Sequence, residues 1–514
     1  MSLTTPGGDT VADYKMLIGG ELCDATSGET FETFEPATGE KIADVPKAGK
    51  EDAVRAIEAA RKAFDEGPWP KMSGKERADK LRKIVEVIGA HAAELSEIET
   101  RDGGGTIRKA QLADVPGAQQ SFEWFAKMAE EQPTEVELTG SPLPPSENYL
   151  RYEPLGVCSG VIPWNFPLIM ASWKIAPALA AGNTSVLKPA SFTSLSALLM
   201  AQFINEECDL PPGVLNVISG PGGTVGEELA SNPLVDKTAF TGSTEVGRRI
   251  MQLASATVKP VTLELGGKSA NIVLDDADLD VAAAGVLWGT FMHGGQVCES
   301  GTRALVQRGI YDEFVSLLAD RAGKIQLGNP LDFETDLGPL VSRSQVQTVE
   351  RYVASGREEV GEPVTGGAKP EGLPAGLDRD CFFQPTIFTD VDNEAKIAQE
   401  EIFGPVLCVI PFETDEEAVA LANDSIYGLG GGVQSSNLDR AKKVAAAMRT
   451  GTVWINDYHL ISPERPFGGY KQSGIGRELG TFGYNIYRQV KHVHVNTGEG
   501  RDTHFHYQLL SANI

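Results

Sequence analysis

The feature that most restricts the fold is the stretch from residue 153 to 275, where short apolar runs alternate with longer helical segments. Residues 157–162 read as a strand, 171–181 as a helix and 184–187 as a strand. A helix over 195–207 and a strand at 214–218 follow. Short apolar strands joined by helical crossovers pack as a mostly parallel sheet covered by helices on both faces. After Asp276 the pattern resumes and runs to about Gly451, which predicts a second α/β unit.

The flanking regions differ. Residues 16–45 read as short strands and turns, with Gly19-Gly20 and Pro36-Ala37-Thr38-Gly39. Ala53, Ile57, Ala60 and Phe64 share one helical face. Ser73 and Glu76 stand at capping-box spacing before a second helix carrying Leu81, Ile84, Val85, Ile88, Leu95 and Ile98. Residues 132–148 shift to Pro, Glu and Ser, with brief alternation over 134–138. That suits a surface loop or an extended arm, and the alternating run 487–495 suits a strand.

A chain of 514 residues allows two to four domains. With 45 basic against 71 acidic residues its formal charge is −26, which disfavours nucleic acid and anionic membrane surfaces as partners. The most apolar run, 164–181, is interrupted by Lys174, Pro167 and Pro177, so no membrane span is expected. The first residues show no secretory pattern. Six widely spaced cysteines read as reduced thiols of a cytoplasmic protein.

Several motifs follow strand ends. Ser219-Gly220-Pro221-Gly222-Gly223 and Gly242-Ser243-Thr244-Glu245-Val246-Gly247 are either ordinary tight turns or phosphate cradles at helix N-termini. Neither is a P-loop or a G-x-G-x-x-G fingerprint. Glu264 beside Gly266 and Gly267 is a solvated carboxylate or a general base that substrate and water can approach closely. Cys298 after Gly294-Gly295 is a small buried hydrophobe or an accessible thiol nucleophile. Asn165, between Pro163 and Pro167, is a helix cap or a fixed amide able to stabilise an oxyanion.

Together, in this order, these motifs resemble the aldehyde dehydrogenase superfamily over nearly the whole chain. The resemblance also rests on Lys188-Pro189, Phe240-Thr241-Gly242-Ser243, Gly295-Gln296-Val297-Cys298, Glu401-Ile402-Phe403-Gly404-Pro405 and the run from Pro466 to Gly474. It implies that Cys298 attacks an aldehyde and that the Asn165 amide and the Cys298 N–H hold the oxyanion. Hydride loss would leave a thioester, hydrolysed by water that Glu264 deprotonates, and Glu264 would also be placed to help activate the thiol. Lys174 and Glu478 would form a proton path behind Glu264, with a surface salt bridge the plainer alternative.

The same resemblance places NAD+ against Ile162, Trp164, Gly222, Phe240, Gly242 and Leu265. Lys188 would meet the adenosine ribose, Ser243 the pyrophosphate, Glu401 the nicotinamide ribose, and Phe403 would pack near the nicotinamide. Ser191 departs from a glutamate common in NAD-preferring relatives, so NADP+ should be tolerated. NAD+ leads because no arginine lies near Ser191. Phe166, Met170, Trp173 and Trp288 would line a substrate funnel, together with Met292, Asp457, Ile461 and Phe467. This mostly apolar set suits an uncharged aliphatic or aromatic aldehyde, while Asp457 and the aromatics suit a betaine or amino-aldehyde as the alternative. Intact Glu264 and Cys298 argue against a CoA-acylating or a catalytically silent member.

The implied organisation is a cofactor domain (1–131 and 153–265), a catalytic domain (266–478) and an arm and tail (132–152 and 479–514). The arm would join subunits into a homodimer or homotetramer. His492 with His494 and His504 with His506 lack an acidic or cysteine partner, so no metal is expected.

Overall fold

The computed structural model describes residues 13–139 and 145–510. The expectations for the extreme N-terminus and for arm residues 140–144 lie outside them.

Five parallel strands form the centre of an eight-stranded sheet. Their spatial order is Val261–Glu264, Lys237–Thr241, Val157–Val161, Thr184–Lys188, Leu215–Val217. The first of these in sequence, Val157–Val161, lies mid-sheet, and the chain fills one side before returning to the other. The loops after Val157–Val161 and Lys237–Thr241 therefore part, and a crevice opens at their carboxyl ends. Met16–Ile18 and Glu21–Cys23 extend one edge antiparallel. The helix Pro167–Ala180 is buried almost throughout and starts with proline, where the missing N–H costs nothing.

The second sheet has six parallel strands, ordered Thr386–Phe388, Val406–Phe412, Arg303–Gln307, Ala270–Val273, Gly430–Gln434, Thr452–Ile455. Helices Leu279–Phe291 and Tyr311–Ala322 supply Val286, Phe291, Phe314 and Leu318 to one face. Arg343–Glu359 and Leu438–Ala447 supply Val346, Val349 and Val444 to the other. A third, antiparallel sheet pairs Arg488–Asn496 with Ser146–Pro154 and the latter with Glu135–Glu137.

The structure departs from the expectations at three points. The helix opened by the Ser73 capping box is two helices, Gly74–Ala90 and Ala92–Gly103. The break falls at His91, whose ring stacks 3.6 Å from Phe203 and bonds Glu207 at 2.7 Å. Ile88 and Leu95 stay on one face across it, so the apolar stripe hides the interruption. The long strand Ser146–Pro154 and the helix Val115–Glu131 were not anticipated. Gly474–Ile475, expected with the second unit, pairs with Leu263 and Glu264 at the edge of the first sheet.

Candidate active site

A cavity of about 520 Å³ fills the crevice. Trp164, Asn165 and Phe166 come from the loop after Val157–Val161, and Gly242 and Ser243 from the turn after Lys237–Thr241. Glu264, Leu265, Cys298, Glu299, Glu401 and Phe403 enter from the remaining walls. The structure thus brings Cys298, Glu264 and Asn165 to one space from distant parts of the chain.

Cys298 follows a turn in which His293, Gly294 and Gly295 have φ of 51°, 65° and 72°. Left-handed backbone favours glycine, and a side chain at Gly295 would also strike the Gly404 carbonyl. One Asn165 amide N–H donates to the Gln296 carbonyl at 2.8 Å, which fixes the side chain and leaves its second donor. The Cys298 thiol donates to Glu299 Oε2 at 3.2 Å. Burial first, then the charges of Glu299, Glu401 and Glu264, push this thiol well above its usual range. At rest it is protonated.

Glu264 ends the strand Val261–Glu264, and among the described residues neither of its carboxyl oxygens has a hydrogen-bond partner of good geometry. Burial and the neighbouring Glu478 charge raise its carboxyl well above the ordinary value, against the pull of Lys174. Lys174 donates to Thr241 Oγ1 at 2.7 Å and pairs with Glu478. All three side chains are buried. Gly267 is sterically demanded, because a Cβ there would strike the Cys298 carbonyl, and a Cβ at Gly266 would displace the Glu401 carboxylate. The Gly267 N–H donates to Glu401 Oε1 at 3.0 Å, and burial pushes Glu401 up to about 7.

On the other side, Ser243 caps the helix Thr244–Ala254 by accepting from the Val246 N–H at 3.3 Å, so a helix N-terminus opens at the cavity. Trp164 and Phe403 meet edge to face, centroids 5.0 Å apart. Lys188, Ser191 and Gly222 do not line the cavity and lie further along the carboxyl edge of the sheet. Lys188 Nζ donates to Pro189 O (2.7 Å) and Gly220 O (3.1 Å), and the Ser191 hydroxyl donates to the same Gly220 oxygen at 3.1 Å. Burial lowers Lys188 to about 8. Gly222 and Gly223 face open space. Ile162 and Phe240 are core residues beneath the cleft, and the Phe240 ring packs against Gly242. A glycine-edged cleft with a helix N-terminus suits an extended, phosphate-bearing ligand.

Of the expected funnel, Phe166, Met170, Trp173, Trp288, Met292, Ile461 and Phe467 all line the cavity. Asp457 does not: it is exposed, and its Oδ1 accepts from the Tyr458 N–H at 2.8 Å. Polar groups that do line the cavity include Glu299 and His459. Glu299 Oε1 and His459 Nδ1 lie 3.0 Å apart, and Trp288 meets His459 edge-on with centroids at 5.6 Å. Glu299 was missed because spacing says nothing about which way a side chain beside a nucleophile turns. Gln345, also missed, bonds the Phe403 carbonyl at 2.9 Å and lines the cavity.

His492 and His494 both bond Asn148 Oδ1, at 3.1 and 2.8 Å. Among the described residues, no group of three or more His, Cys, Asp or Glu side chains is placed to hold a metal. No helix among them is long and apolar enough to cross a membrane.

A sequence profile of the aldehyde dehydrogenase family matches residues 23–493. A betaine aldehyde dehydrogenase of Bacillus subtilis is 46% identical over 482 residues, covering 94% of this chain and 97% of its own. An aldehyde dehydrogenase of Emericella nidulans is 44% identical, covering 94% and 95%. Among solved structures, a betaine aldehyde dehydrogenase of Staphylococcus aureus in complex with NAD+ superposes with a TM-score of 0.92 at 41% identity, covering 95% of this chain and 96% of that one.

Proposed function

This chain belongs to the aldehyde dehydrogenase family, and from that premise we propose that it oxidises an aldehyde to the carboxylic acid with NAD+, through a thioester on Cys298. The observation that carries this reading is the convergence of Cys298, Glu264 and the anchored Asn165 amide on one cavity.

The cleft fits NAD+ by its open Gly222 and Gly223, the helix N-terminus at Ser243 and the aromatic pair Trp164 and Phe403. Lys188 and Ser191 are assigned to the adenosine end, Glu401 to the nicotinamide ribose. NAD+, when bound, supplies the hydride acceptor. Ser191 carries no charge to repel a 2′-phosphate, so NADP+ is accepted as a poorer substitute.

Within the chain, Cys298 forms and later releases the acyl group, and Asn165 together with the Cys298 N–H stabilises the oxyanion. Glu264 takes a proton from the hydrolytic water. A carboxyl that is buried and unpaired is a strong base once ionised, and Lys174 with Glu478 lies behind it as the route by which that proton leaves.

The aromatic lining supports an uncharged aliphatic or aromatic aldehyde. One observation favours a second reading, a trimethylammonium aldehyde: the buried Glu299 carboxylate lines the same cavity as Trp288, Trp173 and Phe467, a set that suits an organic cation. The likeness to two betaine aldehyde dehydrogenases points the same way. Reduced-cofactor formation with short aliphatic, aromatic and trimethylammonium aldehydes, with and without CoA, tests this. Turnover without CoA is expected. Turnover only with CoA would overturn the hydrolytic assignment.

Two further assignments are ours. The strand Arg488–Asn496 is an edge strand, paired on one side only among the described residues and carrying exposed Val490 and Val495, which supports a subunit-joining arm in a dimer or tetramer. All six cysteines are free thiols, which supports a cytoplasmic setting.

A further inference from the structure

We propose that Glu299, rather than Glu264, is the base that removes the Cys298 thiol proton as the sulfur attacks, leaving Glu264 to activate water alone. The proposal rests on Cys298 being the nucleophile.

Its ground is the hydrogen bonding around the sulfur. Cys298 Sγ donates to Glu299 Oε2 at 3.2 Å, whereas among the described residues the thiol makes no hydrogen bond to either oxygen of Glu264. The second Glu299 oxygen is held by His459 Nδ1 at 3.0 Å. The backbone is fixed too, because the Tyr458 hydroxyl donates to the Glu299 carbonyl at 2.9 Å. Both Glu299 and His459 line the cavity into which the sulfur faces, and the His459 side chain is 3% exposed. Cys298, Glu299 and His459 thus form a hydrogen-bonded chain running from the sulfur to an imidazole, the arrangement by which a nucleophile is activated.

The protonation states agree with that division. Burial pushes the Glu299 carboxyl up, but the His459 hydrogen bond and charge and the Cys298 contact outweigh it and hold Glu299 below the usual glutamate range. Glu264 is displaced in the opposite direction. In the resting site the carboxyl bonded to the thiol is the ionised one.

In the attack, the S–H bond breaks and the proton passes to Glu299 Oε2. The sulfur lone pair forms the S–C bond, and the carbonyl π pair moves onto the oxygen held by Asn165. The oxidation follows as hydride loss to NAD+. When water activated by Glu264 cleaves the acyl–sulfur bond, sulfur leaves as thiolate and recovers its proton from Glu299. Glu264, which has first released its resting proton to ionise, is left with the water's proton. One aldehyde, one water and one NAD+ therefore give acid, reduced cofactor and one released proton.

The test uses a short uncharged aldehyde, which removes recognition of substrate charge by Glu299. Glu264→Gln stalls after one oxidation, so stopped-flow formation of reduced cofactor in that variant reports the first half-reaction. Adding Glu299→Gln should slow this single turnover by about 100-fold at neutral pH. The loss should shrink as pH rises and the thiol ionises unaided. With Glu264 neutral, the other titratable groups facing the sulfur are Glu401 and, behind Glu299, His459. Glu299→Asp, which keeps a carboxylate, should recover part of the rate. Cofactor titration and melting curves check that each variant is folded. A double variant that oxidises as fast as Glu264→Gln alone overturns the proposal, as does a Glu264→Gln protein incapable of its first turnover. Sustained turnover by Cys298→Ala would instead overturn the nucleophile assignment itself.

Discussion

The two sides of the cavity hold one buried glutamate each, and they are built in opposite ways. Glu264 sits over glycines, and burial first and then the like charge behind it at Glu478 push its carboxyl up. Glu299 has one oxygen on a thiol and the other on an imidazole, so it stays ionised. Similar burial with unequal hydrogen bonding gives one residue type two protonation states on the cavity that holds the sulfur. A carboxyl without partners can meet a water. One already bonded to the thiol is committed to it.

The largest effect comes from the group both sides serve. Cys298→Ala should lower turnover by roughly 10⁴-fold or more while leaving cofactor binding intact, read as reduced-cofactor formation and by cofactor titration. Next is the support beneath Glu264. Lys174→Met leaves Glu478 buried without its cation and should cost about 3–5 kcal/mol of stability, measured by denaturant unfolding.

A smaller change separates the two glutamates through pH. Glu264 must ionise to act as a base, so the deacylation rate rises with pH through its elevated pKa. Burial is the larger cause of that elevation, but Glu478→Gln removes the like charge that adds to it and should move the rising limb of kcat to lower pH. The rate of the first oxidation should not move, because Glu478 does not touch the sulfur. A shift in both phases would merge the two sides into one titrating unit. The smallest effect lies away from both. Ser191→Glu should reduce the NADP+ to NAD+ ratio of kcat/KM by about tenfold through like-charge repulsion, with both glutamates unaffected. An unchanged ratio would remove Ser191 from the cofactor site.

Much of this architecture is written locally. The strands at 157–161 and 184–188 and the helix at 195–207 are legible because buried parallel strands are continuous apolar runs and the crossover helices have their own period. Ser73 and Glu76 announce a helix start that the structure keeps. What was hidden depends on partners distant in sequence. The strand Ser146–Pro154 is mostly polar and half-exposed, and it is a strand because Arg488–Asn496 and Glu135–Glu137 pair with it. Gly474–Ile475 is too short to carry a pattern. At the site, Cys298, Glu264 and Asn165 stand in recognisable motifs, whereas Glu299 is revealed only by the turn that aims it at the sulfur and by His459 arriving from another loop. Asp457 shows the reverse error: a polar residue near the right motif whose carboxylate is occupied by the next backbone N–H.

The central claim is that the acyl group passes through Cys298 and that Glu264 is needed to release it. The most direct measurement is the intact mass and peptide map of Glu264→Gln quenched after mixing with aldehyde and NAD+. The account predicts one equivalent of reduced cofactor per active site and an acyl adduct on the peptide containing Cys298. Undiminished steady-state turnover with no adduct on Cys298 would contradict it.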